Sequence, residues 1–547
     1  MQFVISKDGR VKITALQRTF RYFCLVYFFI LTSSQLFSQS KTAVIDDAPD
    51  TIALIHAPFI MPQLSRPVFN DTKYDVRKFG AKEGGTVKNT EAIQNAIDAA
   101  ARAGGGTIVI PEGIWLTGAI HLEDGINLHL VKGAELLFSQ DPKDYLPAVF
   151  SRHEDIECYK FSSFIYAQGK TNIGITGEGV LNGQGKPWWE WKKSQKKSDA
   201  LLRKMADTNL PVKERVFDGS NGYFLRPAFF QPMNCKNVFV EGVTFLYGAF
   251  WTITPTYCDN VIVRKVKIET YGNYGHTPNG DGVDPSSCKN VLIEYCEFAT
   301  GDDCIAIKSG RDKDGLRVNL PTENVVVRNC FGKQGHGGIV IGSETSGGIR
   351  NIYAYDCAFN GTDRIVRIKT ARGRGGIIEN MWFRSLSADT IEQEALRINM
   401  LYEGSRFPVE PVTQATPVIR NIHYSNINCA YSKSAAIEII GIPEMPVENI
   451  SFDSVSIHSS KGFACTDVHN IRLENVALYQ ESGPVINVID GSDIAIDRLK
   501  FDSAHGPLLY IDGQKSSGIF LTNTDISGVK NAVQYGEHVS PNAVTIK

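Results

Sequence analysis

Two adjacent aspartates, Asp302 and Asp303, stand in the stretch GDGVDPSSCKNVLIEYCEFATGDDCIAIKSG, which runs from Gly280 to Gly310. Adjacent carboxylates repel each other and are costly to bury, unless they lie in a solvated turn, bind a cation or share a proton. A surface turn would account for Gly-Asp-Asp alone. Further ionisable residues at similar intervals favour a functional site.

Six ionisable residues recur at intervals of 21 to 33 residues along the chain: Asp281, Asp302, Asp303, His336, Arg367 and Lys369. Three carboxylates beside a histidine and two cations can cleave a glycosidic bond if the fold brings them together. One carboxyl must stay protonated to donate to the leaving oxygen, which the negative charge of its neighbours favours, while another stays ionised to activate water. Since the cations can hold a substrate carboxylate, the set indicates an acidic sugar.

The elements that must position these residues are short strands introduced by asparagine. An Asn and an apolar residue begin most of them, as in NVFVEGV from residue 237, NVIVRKV from 260, NVLIEYC from 290 and NVVVRNC from 324. Side chains that alternate between two faces are typical of β-strands. The repeat drifts between 23 and 34 residues in this part of the chain, and no long helical pattern interrupts it.

This repeat predicts an all-β fold, a parallel β-helix in which each coil supplies several strands and stacks on the next. Residues one coil apart are then neighbours, because stacked strands lie about 4.8 Å apart. The asparagines are expected to form a hydrogen-bonded ladder, with Val, Ile, Leu, Phe and Cys in the interior. A β-sandwich is the structural alternative, but it gives no reason for the Asn register.

One helical pattern precedes the repeat, in NTEAIQNAIDAAARAGGG from Asn89 to Gly106. Asn89 or Thr90 can cap it, its small and apolar residues share one face, and the glycines end it. We expect this helix to cover the open end of the β-helix, whose exposed strand edge would otherwise invite aggregation.

The chain begins with a charged stretch followed by YFCLVYFFILTSSQLFSQS, an apolar run that gives way to small and polar residues. This is the layout of a secretory signal, since the run is short for a membrane span; an uncleaved anchor is the alternative. We therefore expect a signal peptide over residues 1–38, a linker over 39–70 and one β-helix domain over 71–547. A Trp- and Lys-rich stretch near 186–216 breaks the strand rhythm and indicates an insertion. The expected location is secreted or periplasmic.

The composition is that of a globular protein, with 547 residues, 43% hydrophobic, 21% charged and a formal net charge of -2. No long basic or acidic block is present, which argues against a nucleic acid or a membrane surface as partner. The 11 cysteines show no CxxC and no Cys/His metal spacing. No metal or cofactor is expected, and nothing in the sequence specifies an oligomeric state.

Four motifs, NGDGVD, GDDCIAIKSG, GHGG and RIK, follow one another along the chain. In order and spacing they resemble the signatures of the polygalacturonases of glycoside hydrolase family 28, whose fold is a right-handed parallel β-helix. The resemblance covers roughly residues 70–500. It implies hydrolysis of α-1,4-galacturonosidic bonds in a pectic polysaccharide or an oligogalacturonide, without a metal.

The resemblance also implies a role for each motif residue. Asp302 is expected to be the general acid, and Asp281 and Asp303 to hold and deprotonate the attacking water, with inversion at the anomeric carbon. His336 is expected to assist protonation of the acid. The residues expected to bind substrate are Arg367 and Lys369 next to the scissile bond, Tyr402 in MLYEG, and Asn279.

One departure from the family pattern is visible, because the usual NTD is NGD here, with Gly280 in place of Thr. This variant resembles the bacterial, often exo-acting, branch of the family. The insertion near residues 186–216 could in addition close one end of the groove. Together these features predict exo action.

Three other functions remain open. A pectate lyase would use the aspartates for Ca²⁺ and an arginine as base, which the GHGG and RIK motifs argue against. A rhamnogalacturonan hydrolase would be expected to lack the full Arg-Ile-Lys motif. A non-catalytic β-helix carbohydrate-binding protein would have no reason to align three aspartates.

Overall fold

The protein is described by a computed structural model over residues 48–502 and 506–547. The predicted signal peptide, residues 1–38, lies outside the described residues. None of the helices in the described ranges has the length and apolar character that crossing a bilayer requires.

The described part of the chain consists mainly of short strands. The first group comprises Lys73–Asp75, Gly106–Ile110, Gly113–Thr117, Ile120–His121, Ile126–Leu130, Ala134–Phe138, Val149–His153, Ile156–Lys160, Ile165–Gln168, Thr171–Gly177 and Val180–Asn182. The central group comprises Val216–Phe217, Phe230–Met233, Lys236–Glu241, Thr244–Leu246, Asp259–Arg264, Lys267–Glu269, Lys289–Glu294, Glu297–Ala299, Ile305–Ile307, Thr322–Arg328, Phe331–Gln334 and Ile339–Ile341. The last group comprises Ile349–Phe359, Val366–Lys369, Ile377–Ile391, Leu396–Asn399, Val418–Ile440, Val447–Glu474, Ala477–Asp497, Lys500–Phe501, Leu509–Asp512, Ser517–Thr522, Val533–Tyr535 and Val544–Ile546.

These strands pair in parallel with the strands one coil away, so that the chain winds as a solenoid. Val238 pairs with Val261, Val261 with Val291, and Val291 with Val325. Only one strand pair in the described ranges is antiparallel, the hairpin of Val149–His153 and Ile156–Lys160. The predicted right-handed parallel β-helix is thus confirmed.

The asparagine ladder predicted from the sequence is also present. The ladder asparagines have left-handed backbone angles, and most donate a side-chain hydrogen bond to the corresponding residue of the preceding coil. The bonds measure 2.7 to 3.2 Å and form the runs Asn172–Asn237–Asn260, Asn290–Asn324–Asn351 and Asn380–Asn421–Asn449–Asn470. Asn290 donates instead to Asp259 at 2.9 Å. The ladder satisfies amides that the sharp turn would otherwise leave unpaired.

The interior of the coils is filled by Ile, Val, Leu and Phe, as the sequence predicted. All ten cysteines of the described ranges are buried free thiols. They lie between the strands as small apolar side chains.

Within the described ranges, four α-helices accompany the strands: α1 (Thr90–Arg102), α2 (Lys186–Trp189), α3 (Trp191–Asp207) and α4 (Asp312–Val318). The side chains of Ile93, Ala96, Ile97 and Ala100 on α1 join the apolar core, and this is the predicted capping helix. Helices α2 and α3 form the stretch that breaks the strand rhythm. Leu202 and Ala206 of α3 pack against Ile156 and Phe217 beside the solenoid.

The N-terminal segment lies flat against the outside of the β-helix. We call residues 49–64 the outer strap; they fall within the range that the sequence suggested as a linker. Ile55 and Leu64 cover the outward-facing side chains of four successive coils, Phe239, Ile262, Leu292 and Val326. Arg264 donates to the carbonyl of Pro49 (2.7 Å) and Arg328 to that of Ala53 (2.8 Å). These contacts hold the strap in place, because burial of apolar surface and charged donors act together.

Candidate active site

Stacked coils bring the predicted site residues together on one face. The amide of Gly282 donates to the carbonyl of Asp303 (3.0 Å), and the amide of Cys304 donates to the carbonyl of Gly337 (2.9 Å). Strand Val366–Lys369 then pairs with Ile339–Ile341. The motifs that are far apart in the sequence therefore occupy neighbouring coils.

The three aspartates form a compact cluster. One carboxylate oxygen from each of Asp281, Asp302 and Asp303 lies within 4.8 Å of the other two. Asp281 and Asp303 are buried, with 2% and 1% of their surface exposed, whereas the side chain of Asp302 is 22% exposed. Asp302 is thus the carboxyl that a ligand in the cleft reaches first.

Two buried lysines balance the charge of this cluster. The ammonium of Lys369 donates to Asp303 Oδ2 at 2.8 Å. Lys308 Nζ lies 3.8 Å from Asp281 Oδ2 and donates to Glu344 Oε2 at 3.2 Å. Burial would lower the pKa of each lysine, but the neighbouring carboxylates outweigh it and raise both above the ordinary value. The lysines already supply positive charge of the kind that a metal ion would bring.

Asp281 has a further carboxyl next to it, Asp284, which is 1% exposed. Neither oxygen of Asp284 has a hydrogen-bond partner among the described residues. Burial raises the pKa of both groups well above the ordinary value, and repulsion between carboxylates adds to the rise, against the attraction of Lys308. Burial and mutual repulsion therefore disfavour the ionised form of this pair.

Asp302 pairs with His336 instead. His336 Nδ1 lies 2.9 Å from Asp302 Oδ1, and the ring of His276 stacks on it at 4.7 Å between centroids. Burial alone would raise the pKa of Asp302, but the hydrogen bond and charge of His336, with Lys369, bring it to about 2. The same hydrogen bond raises the pKa of His336.

This ionisation differs from the sequence-based expectation, in which the charge of neighbouring carboxylates keeps the acid protonated. That effect acts on Asp281 and Asp284. At Asp302 the imidazole of His336 outweighs it, since a charge-assisted hydrogen bond favours the ionised form. In the free site the proton nearest to Asp302 therefore lies on His336.

The other side of the cluster carries Arg367 and Tyr402. The guanidinium of Arg367 and the ammonium of Lys369 each lie 5.3 Å from the centroid of the Tyr402 ring, which is 38% exposed. Arg367 has no acidic partner within salt-bridge distance in the ranges described, whereas Lys369 is committed to Asp303. Arg367 is therefore the more available cation for an anionic ligand.

Asn279, in a left-handed turn (φ 56°) two residues before Asp281, is held by two cations. Its Oδ1 accepts from the guanidinium of Arg226 and from the ammonium of Lys192, both at 2.7 Å. Arg226 is fully buried. The carbonyl of the Asn279 side chain is thus engaged by the protein, and its amide group remains to meet a ligand.

Gly280 fits its surroundings closely. A Cβ at this position would lie 2.4 Å from Thr277 Oγ1 and 2.7 Å from Thr270 Oγ1. The hydroxyl of Thr270 donates to the carbonyl of Gly280 at 2.6 Å. Two threonines from the preceding segment therefore occupy the space that a side chain at residue 280 would need.

Four residues of the site were not identified from the sequence: Lys192, Asp284, Lys308 and Glu344. Asp284 and Lys308 lie in the stretch quoted at the outset and are nearly one coil apart, since Ser286 pairs with Lys308. Their spacing could have revealed them. Lys192 gave no such signal, because it comes from the insertion.

The chain is similar in sequence to known proteins. Residues 218–477 match the model of glycosyl hydrolases family 28. The chain is 30% identical over 408 residues to a probable polygalacturonase of Vitis vinifera, covering 72% of this chain and 77% of that protein. It is 26% identical over 442 residues to an exo-poly-alpha-D-galacturonosidase of Dickeya chrysanthemi, covering 74% and 71%.

Among solved structures, the chain is similar to a hyperthermoactive exopolygalacturonase from Thermotoga maritima. The identity is 36%, the TM-score is 0.70, and the match covers 76% of this chain and 93% of that one. The motifs, the parallel β-helix and these similarities agree with one another. The chain belongs to glycosyl hydrolases family 28.

Proposed function

We propose that the protein hydrolyses α-1,4-galacturonosidic bonds in polygalacturonan or pectic oligogalacturonides. The observation that carries the proposal is the cluster of three carboxylates within 4.8 Å of one another, with Lys369 and Arg367 beside it. Carboxylates supply the acid and base of glycoside hydrolysis, and a guanidinium recognises the carboxylate of a uronic acid. The names of the relatives support the same substrate.

In the proposed mechanism, Asp302 delivers the proton to the leaving oxygen. It is the exposed carboxyl of the cluster and accepts a hydrogen bond from His336. Because the pKa of Asp302 is about 2 in the free site, the proton comes from the His336 imidazolium as the glycosidic oxygen gains negative charge. The Asp302–His336 pair therefore acts as one proton donor.

Asp281 and Asp303 hold the attacking water. Asp303 accepts from Lys369, while one oxygen of each aspartate has no hydrogen-bond partner in the described part of the chain. These oxygens can accept from a water held between them. One of the two carboxylates takes a proton from this water as it attacks the face opposite the leaving group, which would invert the anomeric centre.

The nearest oxygens of the three carboxylates lie closer together than the acid and base groups of typical inverting glycosidases. Typical inverting glycosidases place the acid and base about 6.5 to 9.5 Å apart, whereas oxygens here lie within 4.8 Å. The third carboxylate supports inversion nonetheless, because two aspartates can share one water without either acting as nucleophile.

The first prediction separates hydrolysis from elimination. Polygalacturonate should give saturated products whose new reducing ends are initially in the β configuration, and EDTA should change the rate little, because the lysines supply the cationic charge. Proton NMR of early products and absorbance of unsaturated uronides measure this. Initial α products would show retention. Unsaturated products, or loss of activity with EDTA, would identify a calcium-dependent lyase.

We also propose that the enzyme is exo-acting. Helices α2 and α3 stand beside the coil that precedes the aspartates. Trp189 Nε1 donates to the carbonyl of Gly248 (2.9 Å), Tyr274 packs against the Trp189 ring at 5.0 Å, and Lys192 reaches Asn279. A wall at this end of the groove would admit chain ends only.

The second prediction concerns the early products. A blocked groove should release monogalacturonate or one short product, with slow loss of viscosity, because each cleavage removes little of the chain. Chromatography of products in the first few per cent of conversion, together with viscometry, measures this. An endo-acting polygalacturonase serves as the reference. A spread of intermediate oligomers with rapid viscosity loss would mean that the cleft is open.

The protein is further proposed to be secreted or periplasmic, with residues 1–38 as a cleaved signal peptide. The layout of that segment supports this proposal, and so does a polymeric substrate that lies outside the cell. N-terminal sequencing of the exported protein tests it.

A further inference from the structure

Lys192 occupies the first turn of α3 and reaches the coil that carries Asp281, through Asn279. Its only hydrogen bond in the described ranges is to Asn279 Oδ1, at 2.7 Å, two residues before Asp281. Gln195 and Asp199, which follow Lys192 on the inner side of α3, contact His153 of the hairpin strand Val149–His153. Lys193 lies on the exposed side of the helix.

The acidic groups nearest to Lys192 are committed elsewhere. Glu154 pairs with Arg311 at 2.9 Å and Arg203 at 3.0 Å. Asp199 lies 3.2 Å from His153 Nε2. Across the described chain, no carboxylate comes within salt-bridge distance of Lys192 itself. The ammonium of Lys192 can therefore form an ion pair with an anionic ligand.

The position of this charge in α3 is unfavourable by itself. The first turn of α3 contains Lys192 and Lys193 and no acidic residue. The N-terminus of a helix is the positive end of its dipole, where anions are stabilising and cations are not. Glu190, with right-handed helical backbone angles, joins this turn directly to α2, so an anion bound here would be favoured by the ammonium.

Lys192 and Arg367 flank the aspartates on opposite sides along the solenoid. Lys192 reaches the coil of Asn279 and Asp281, whereas Arg367 lies three coils further on, beside Tyr402. A galacturonan presents one carboxylate on every sugar. The two sugars joined by the scissile bond would therefore need a cation on each side of the aspartates.

Resting on the proposed function, we propose that Lys192 is a specificity-determining residue that binds the carboxylate of the terminal galacturonate in the walled end of the groove. Arg367 then serves the sugar on the other side of the scissile bond. The insertion both closes the groove and supplies the charge that recognises an ionised chain end.

The test compares three trigalacturonates: the fully ionised trimer and two mono-methyl esters, esterified on one terminal sugar or on the other. Values of kcat/KM are measured for the wild type, Lys192→Met, Lys192→Arg and the matched control Lys193→Met, with circular dichroism to verify folding. The wild type should cleave one of the two esters about tenfold more slowly than the ionised trimer. For Lys192→Met, kcat/KM should fall about tenfold on the ionised trimer. On that ester it should equal the wild-type value.

Lys193→Met should behave as the wild type, and Lys192→Arg should keep the discrimination, because it keeps the charge. Two results for Lys192→Met would overturn the proposal: the same discrimination between trimers as the wild type, or an equal loss of kcat/KM on all three trimers. A wild type that cleaves the three trimers equally would also overturn it. A wild type that hydrolyses neither the trimers nor polygalacturonate would refute the proposed function, and this inference with it.

Discussion

The Asp302→Asn enzyme is expected to lose turnover by at least about 100-fold while remaining folded. The amide is nearly isosteric and can still accept the hydrogen bond that Asp303 N donates to Asp302 Oδ1 at 3.0 Å, but it cannot pass a proton to the leaving oxygen. Removal of a general acid typically costs about 10² to 10⁴ in rate. The rate on polygalacturonate and the circular dichroism spectrum measure the two effects.

Asp363→Asn is the matched control, because this carboxyl lies two coils beyond Asp302 and is engaged by Gln393 Nε2 at 3.0 Å. It should keep most of the activity. The wild-type pH profile is a second readout. Since Asp302 raises the pKa of His336, the proton is present at low pH, and activity should fall as the pH rises through a value above about 6.5. Asp302→Asn activity of more than a few per cent would remove Asp302 from the acid role.

The Lys369→Met enzyme is expected to show the second large effect. Lys369 and Asp303 form a buried pair, with side chains 8% and 1% exposed. Removing one partner of such a pair leaves an uncompensated charge at a cost of about 3 to 5 kcal/mol. Because Asp303 is also proposed to hold the attacking water, kcat should fall together with the free energy of unfolding. Kinetics and urea denaturation measure the two quantities.

Arg367→Met provides the contrast, since Arg367 has no acidic partner in the described ranges. It should leave the free energy of unfolding nearly unchanged and raise KM about tenfold, the loss of one charge-assisted contact of about 1.5 kcal/mol. If the two variants showed the same change in KM with unaltered kcat and stability, both cations would be simple substrate contacts, as the sequence alone suggested.

The solenoid could be predicted because each coil carries a short, recognisable sequence pattern. Each ladder asparagine adopts a left-handed turn that few other residues tolerate, and an apolar strand follows it. The variation in repeat length did not obscure this pattern, because added residues lie in loops outside the stacked strands. Asp281, Asp303 and His336 could be placed together on the same ground.

The ionisation of the site could not be predicted in this way. Spacing places Asp302 near its neighbours, but it does not say that His336 approaches to 2.9 Å or that Lys369 contacts Asp303. Those distances depend on side-chain directions within a coil. The sequence therefore placed Asp302 in the cluster but did not indicate that its proton partner is His336.

The positions of the insertion and the outer strap could not be predicted from the repeat. Lys192 meets Asn279 across 87 residues, and no periodicity relates them. A signal for the strap does exist, however. The middle residues of the strands, Phe239, Ile262 and Leu292, are apolar although they face outward, and an outward apolar stripe needs a cover.

The outer strap changes how the solenoid can come apart. A stack of coils that contact only their neighbours can fray from its ends, one repeat at a time. Here Ala53 is hydrogen-bonded to Arg328, 275 residues later, and the strap spans the coils from Phe239 to Val326. Those coils are thereby tied into one cooperative unit. The strap can dock only once all of them exist, so residues synthesised early are among the last to reach their native place.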